Sequence, residues 1–291
     1  MPTPGRGGVL EEWLTGWKAP RGKWIDGAIK WFQQALADPL SFFADGVKGT
    51  IDATVDALQW CPPLLVIAAI AGVAWYMQRS WVLVAGTVLS LTLVVNLGYW
   101  DETTATLALI LYATGLSMLI GVPIGIAAAH RPWLWTALRP VLDLMQTIPT
   151  FVYLIPALVL FGLGFVPGLV ATLIFAIPSP IRLTYLGISA VPKPLIEAGE
   201  AFGATKSQLL WKVEIPQALP TIMAGVTQCI MLSLSMVVIA ALVGAPGLGV
   251  PVVRALNSNN GPMGYESGLA IVIIAILLDR ICRQRKRGGG E

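Results

Sequence analysis

About seven stretches of this chain are apolar over nearly the length a helix needs to cross a bilayer, about 20 residues, and no other feature constrains the fold as strongly. They run from about Pro62 to Met77, Trp81 to Tyr99, Ala105 to Ala129, Val141 to Gly162, Phe165 to Ser189, Thr221 to Val243 and Tyr265 to Ile281. In lipid every backbone polar group must be satisfied internally, so such segments are helices. The expected fold class is all-α, a polytopic integral membrane protein. Composition agrees: the 291 residues are 56% hydrophobic and 12% charged. Soluble domains hold about 25% charged residues. The scarcity excludes an ordinary soluble enzyme, a disordered chain and a nucleic-acid binder, whose phosphate contacts need clustered Lys and Arg.

Charge placement gives an expected orientation. The last span ends in Asp279-Arg280-Ile281-Cys282-Arg283-Gln284-Arg285-Lys286-Arg287, a basic tail that belongs in the cytoplasm. Alternation then puts the link at Arg79, the segment His130 to Pro140 and the segment Val191 to Pro220 on the same side. The opposite loops carry Asp101 and Glu102 with one base, Arg254. The N-terminus is therefore expected outside. The domain division that follows is an extracytoplasmic region 1–60, two peripheral spans over 61–100, a core over 101–282 containing the cytoplasmic loop 191–220, and the tail 283–291.

Met1 to Pro20 holds charges, Pro and Gly and no signal-peptide-like apolar run. Two amphipathic helices are readable after it. One carries Trp24, Ile25, Ile29, Trp31, Phe32 and Leu36 on one stripe and ends at Pro39. The other carries Phe43, Val47, Ile51, Val55 and Leu58. Such stripes suit either the headgroup plane or packing on the outer ends of the spans. Cys61, Cys229 and Cys282 have no metal or disulfide spacing and read as small buried hydrophobes. His130 lacks a second ligand nearby and reads as a loop residue, so no metal site is expected.

The most informative segment is Glu197-Ala198-Gly199-Glu200-Ala201-Phe202-Gly203-Ala204-Thr205, continuing to Ile215-Pro216. Pro192 and Pro194 precede it, and Glu197 and Glu200 are expected to complement the dipole at a helix N-terminus. A short exposed helix then offers Phe202 as a knob, and Gly203 lets the chain turn. Such a helix suits a groove on a partner. Pro216 and Pro220 mark the start of the next span.

This segment resembles the cytoplasmic signature loop of permease subunits of ATP-binding-cassette importers: Glu-Ala-Ala, three residues, Gly, nine residues, Ile, one residue, Leu-Pro. Glu197, Ala198, Gly203, Val213, Ile215 and Pro216 are in register, with Gly199, Val213 and Ile215 as departures. The run from Leu138 to Leu154, together with Pro178 to Leu183, Pro220 to Gly225, Leu234 to Ala240 and Ala275 to Arg280, looks like the permeases of glycine betaine, proline betaine and choline importers. The resemblance covers roughly Trp100 to Ile281.

The resemblance implies a type I importer permease core that works as a pair of identical permeases. Two ATPase subunits would grip the loop around Glu197 to Thr205, and an extracytoplasmic binding protein would deliver a compatible solute: glycine betaine, proline betaine, choline, carnitine or trimethylamine N-oxide. ATP and Mg would be bound by the partner ATPase, with no cofactor and no catalytic residue on this chain. The chain has no Gly-x-x-x-x-Gly-Lys-[Ser/Thr] phosphate loop; Gly22-Lys23 is followed by Trp24. A rival class is a secondary transporter driven by an ion gradient, since broken spans occur there too.

The span from Val141 reads as broken, because Pro149 and Pro156 each remove a helix donor. Non-helical backbone at that depth must be buried or line a cavity. Met145, Gln146, Thr147, Phe151 and Tyr153 are therefore pathway candidates, joined by Ser233, Ser235 and Met236 from the sixth span. Aromatic faces attract quaternary ammonium groups. Asp143 is expected in the first turns of its span, paired with Arg139 or Arg182 as a structural ion pair. Gly121 and Gly125 are expected to let two helices approach closely.

Overall fold

Beginning at α1 (Ala37–Trp60), the chain runs through α2 (Pro63–Gln78), α3 (Trp81–Asn96), α4 (Trp100–His130), α5 (Pro132–Thr147), α6 (Thr150–Phe161), α7 (Phe165–Ala176) and α8 (Pro178–Ser189). It continues through α9 (Lys193–Ala201), α10 (Lys206–Leu209), a π-turn (Leu210–Glu214), α11 (Ile215–Ala241), α12 (Gly249–Ser258) and α13 (Gly261–Cys282). This is a computed structural model describing residues 27, 31, 33–35 and 37–282; the stripe from Trp24 to Leu36 and the basic tail from Arg283 lie largely or wholly outside these residues. All regular structure among the described residues is helical.

Each apolar run is helical. Segments 100–130, 165–189, 206–241 and 261–282 are each long and apolar enough to cross a membrane. α2 and α3 are shorter, at 16 residues each. They form a hairpin because Arg79 takes a left-handed conformation (φ 47°) and Ser80 caps α3 by accepting from the Leu83 N–H. Asp101 and Glu102 open α4, which suits the helix dipole at that end, and His130 closes it.

The core is built on close helix approach. A Cβ on Gly121 would lie 2.9 Å from Pro180 Cγ, and one on Gly125 would lie 2.7 Å from the Ile181 carbonyl oxygen. These glycines let α8 sink against α4, as expected of the pair. On its other side α8 meets Gly225 of α11, whose Cβ would be 3.4 Å from Pro180 Cα.

α1 settles the question left open by its apolar stripe. Ile51 and Val55 are buried against Ala105 and Leu109 of α4, Phe165 and Leu169 of α7, and Ala240 at the end of α11. The Thr54 and Tyr112 hydroxyls are 2.8 Å apart, and Phe43 packs on Phe161 with ring centroids 6.3 Å apart. The helix thus packs on the bundle, turned 108° from α2. Pro39 does not end a helix: residues 33–35 before it and the residues of α1 after it are helical.

The span expected from Val141 to Gly162 is two helices. α5 and α6 meet at 94° across Ile148 and Pro149. A residue before proline is pushed out of the α region, and Ile148 is extended (ψ 131°). Pro156 breaks nothing: α6 runs through it, held by the burial of its neighbours Leu154 and Ala157. α5 begins at Pro132, so Asp143 and Gln146 stand in its last turns rather than at the start of a span.

Candidate functional site

The segment 191–220 folds as an elbow. Pro192 precedes α9 and Pro194 lies in its first turn, where a missing N–H costs nothing. α9 closes with the Ala204 N–H donating to the Gly199 carbonyl (3.0 Å) and the Gly203 N–H to the Glu200 carbonyl (2.8 Å). This helix stop needs a left-handed residue, and Gly203 supplies φ 77°. Thr205 opens the next turn by a reciprocal cap with Gln208. Glu197 and Glu200 do not serve the N-terminal dipole as expected. The helix starts at Lys193, which leaves them in its second and last turns.

The elbow presents an aromatic surface. Phe202 is 93% exposed and Trp211 66% exposed. Glu197, Ala198, Glu200, Ala201, Gly203 and Thr205 are also exposed, while Gly199 and Ala204 are half-buried. Gly199 has a packing role: a Cβ there would lie 2.5 Å from Leu209 Cδ2. Ile215 and Pro216 begin α11, which runs through Pro220 to Ala241.

Two contacts tie the elbow's supports together. Arg182 of α8 reaches Asp143 of α5 at 2.6 Å, one of the two expected pairings. Trp135 and Tyr185 stack on the same two helices, 3.7 Å apart and nearly parallel. A third contact was not legible in the sequence. His130, at the end of α4, meets Glu214 in the π-turn at 3.0 Å. The pair is far apart along the chain, and nothing local in the sequence announces it.

At the break the candidates divide. The Tyr153 hydroxyl meets the carbonyls of Met145 and Ile148, the latter at 3.1 Å, so this residue braces the corner. Gln146, Thr147 and Phe151 are exposed around it, and Met145 is half-buried. On α11 Ser235 is exposed, whereas Met236 is buried among Leu154, Ala171 and Val243. Ser233 is buried too, its hydroxyl unpartnered within the chain. No cluster of metal-ligating residues occurs among the described residues.

The two ends of the bundle collect different loops. One gathers Arg79, the His130 corner, the elbow and the end of α13, whose Ile281 carbonyl accepts from Gln78 (2.9 Å). The other gathers Asp101, the 162–164 turn and the 242–248 turn, where the Gly164 N–H donates to the Val243 carbonyl and the Leu248 N–H to Thr106 Oγ1.

The profile of a family described as binding-protein-dependent transport system inner membrane component matches residues 121–281, from the middle of α4 through the elbow to the end of α13. The chain belongs to this family. It is 45% identical over 269 residues to the glycine betaine transport system permease protein OpuAB of Bacillus subtilis, covering 92% of this chain and 95% of the relative. It is 42% identical over 266 residues to the glycine betaine/proline betaine transport system permease protein ProW of Escherichia coli, covering 90% of this chain and 74% of ProW. The trimethylamine N-oxide transport system permease protein TmoV of Ruegeria pomeroyi is 36% identical over 276 residues, with 91% of this chain and 42% of TmoV covered. Among solved structures, the inward-facing MetNI methionine ABC transporter superposes with TM-score 0.55 at 25% identity, over 60% of this chain and 88% of that one. The fold is that of a type I ABC importer permease, and the chain is a multi-pass membrane transport subunit.

Proposed function

We propose that this chain is the permease of an ATP-driven importer of a quaternary ammonium or related compatible solute, in the class of glycine betaine, proline betaine, choline, carnitine and trimethylamine N-oxide. Two copies form the translocation pathway, two separate ATPase subunits bind ATP and Mg, and an extracytoplasmic binding protein delivers the cargo. The permease itself hydrolyses nothing.

The observation that carries this reading is the elbow. Its caps hold a rigid, exposed helix whose tip is Phe202, 93% exposed, in a chain whose relatives are named as permeases of such solutes. Rigid aromatic knobs are what a partner's groove takes. Residues Glu197 to Thr205, with Ile215 and Pro216, make the coupling segment. Sidedness follows from charge: the end bearing Arg79, Arg131, Arg139, Lys193, Lys206 and Lys212 faces the cytoplasm, the other end faces out, and the N-terminus is outside.

Alternating access is the mechanism. ATP draws the two ATPases together, the elbows follow, and the pathway changes the side to which it opens. Gln146, Thr147, Phe151 and Ser235, exposed on one copy, line that pathway where the copies meet. Met145, Tyr153, Ser233 and Met236 form the layer behind them. A cation with a methylated surface is met there by the aromatic face of Phe151.

The test is reconstitution. Proteoliposomes holding this chain, a cassette ATPase and the binding protein are expected to take up labelled glycine betaine only with ATP. Uptake driven by an ion gradient, without the ATPase, sinks the proposal.

A further inference from the structure

The chain has one histidine, and Glu214 is the buried carboxylate among the described residues. The fold brings the two together. His130 Nδ1 lies 2.9 Å from the Ile126 carbonyl oxygen, and Nε2 lies 3.0 Å from Glu214 Oε2 and 3.2 Å from Oε1. A carbonyl and a carboxylate both only accept. The ring bridges the two, and a hydrogen on Nε2 donates to Glu214. The Glu214 side chain is 9% exposed and the His130 side chain 47%. Ile126 and Ala129 of α4, Ile188 of α8, Leu210 of the π-turn and Ala218 of α11 make the adjoining apolar cluster. A carboxylate buried there without its partner is strongly disfavoured.

The position of the pair is more telling than its energy. His130 is the last residue before Arg131, which is extended (φ −134°, ψ 92°) and carries the chain into α5. Glu214 is the last residue of the π-turn that joins the elbow to α11. Each partner stands at a joint. The extra residue of a π-turn rotates what precedes it by about 100° relative to an unbroken α-helix. That rotation sets which side of the elbow faces α4.

We propose that His130 and Glu214 are positioning residues that latch the elbow to the end of α4. Displacement of the elbow then reaches α4 and α5 together instead of bending the joint before α11. The inference rests on the coupling role proposed for the elbow.

The test uses the full transporter, with permease, ATPase and binding protein in proteoliposomes, and reads glycine betaine imported per ATP hydrolysed. His130→Gln and Glu214→Gln are each expected to lower that ratio by roughly threefold or more. The double variant is expected to fall no further than the worse single one, and His130→Lys, which keeps a donor for Glu214 at a half-exposed position, to recover at least half the loss. A second measurement needs no change to the pair. Spin labels replacing Arg131 and Ser207, both exposed, in a cysteine-free background are expected to keep one separation with and without ATP. A wild-type ratio in both single variants, independent losses in the double, or a separation that changes with ATP overturns the latch. Failure of the underlying reading looks different, because the wild-type vesicles themselves then show no ATP-dependent uptake.

Discussion

Gly125 of α4 and Thr184 of α8 are in such close contact that a Cβ on the glycine would lie 2.7 Å from Thr184 Cβ. The Ile181 carbonyl oxygen lies as close from the same side, and backbone does not step aside as a side-chain tip does. Gly125→Val is therefore expected to destabilise the protein by about 1–3 kcal/mol through overpacking. Gly115, with nothing within 4 Å of its would-be Cβ, is the control on the same helix. Thermal unfolding of the detergent-solubilised protein checks both, and equal losses at the two positions contradict the packing account.

Gly203→Val puts a β-branched side chain at φ 77°. The left-handed conformation costs a non-glycine residue roughly 1–2 kcal/mol. The cost falls on the elbow, not on the bundle. Amide exchange is expected to quicken at residues 199–205 while α4 and α11 keep their protection.

Phe202→Ala removes a side chain that is 93% exposed, so stability is expected to move by less than about 0.5 kcal/mol. Co-purification with the partner ATPase is expected to weaken by about 2 kcal/mol or more, as at an aromatic hot spot. Undiminished capture of the ATPase rules out Phe202 as the anchor.

Tyr153→Phe deletes the hydroxyl that braces the carbonyls of Met145 and Ile148. The expected loss is about 0.5–1.5 kcal/mol, read as a lower melting temperature. An unchanged melting temperature removes Tyr153 from the account of the corner.

The Arg182–Asp143 pair is partly open to solvent, its side chains 36% and 52% exposed. A double-mutant cycle with Arg182→Ala and Asp143→Ala is expected to give at most about 1 kcal/mol of coupling. That coupling should shrink as salt is raised. A large, salt-independent value contradicts the assignment.

The span pattern was legible because hydropathy over about 20 residues is a strong signal. The elbow was legible because Pro192, Pro194 and Gly203 are punctuation whose backbone requirements are local. The two prolines of the broken span show where such reading stops. Pro149 ends a helix and Pro156 does not, although both carry the same ring and lack the same donor. The burial of Leu154 and Ala157 decides the second case, and burial is a tertiary fact. The same holds for Pro39, which has helical residues on both sides although a helix was expected to end there, and for Glu197 and Glu200, whose place within α9 depends on a start at Lys193. His130 and Glu214 lay beyond sequence reading altogether, since nothing local announces a contact made only when α4 meets the π-turn.

α1 crosses one end of the bundle like a girdle, glued by Ile51 and Val55 and pinned where Thr54 meets Tyr112. Parting α4 from α7 and α11 at that end within one molecule uncovers those side chains and breaks that bond. A seam between whole molecules carries no such penalty. One molecule is thus tied into a solid leaf, and the doorway we propose lies between leaves rather than through one.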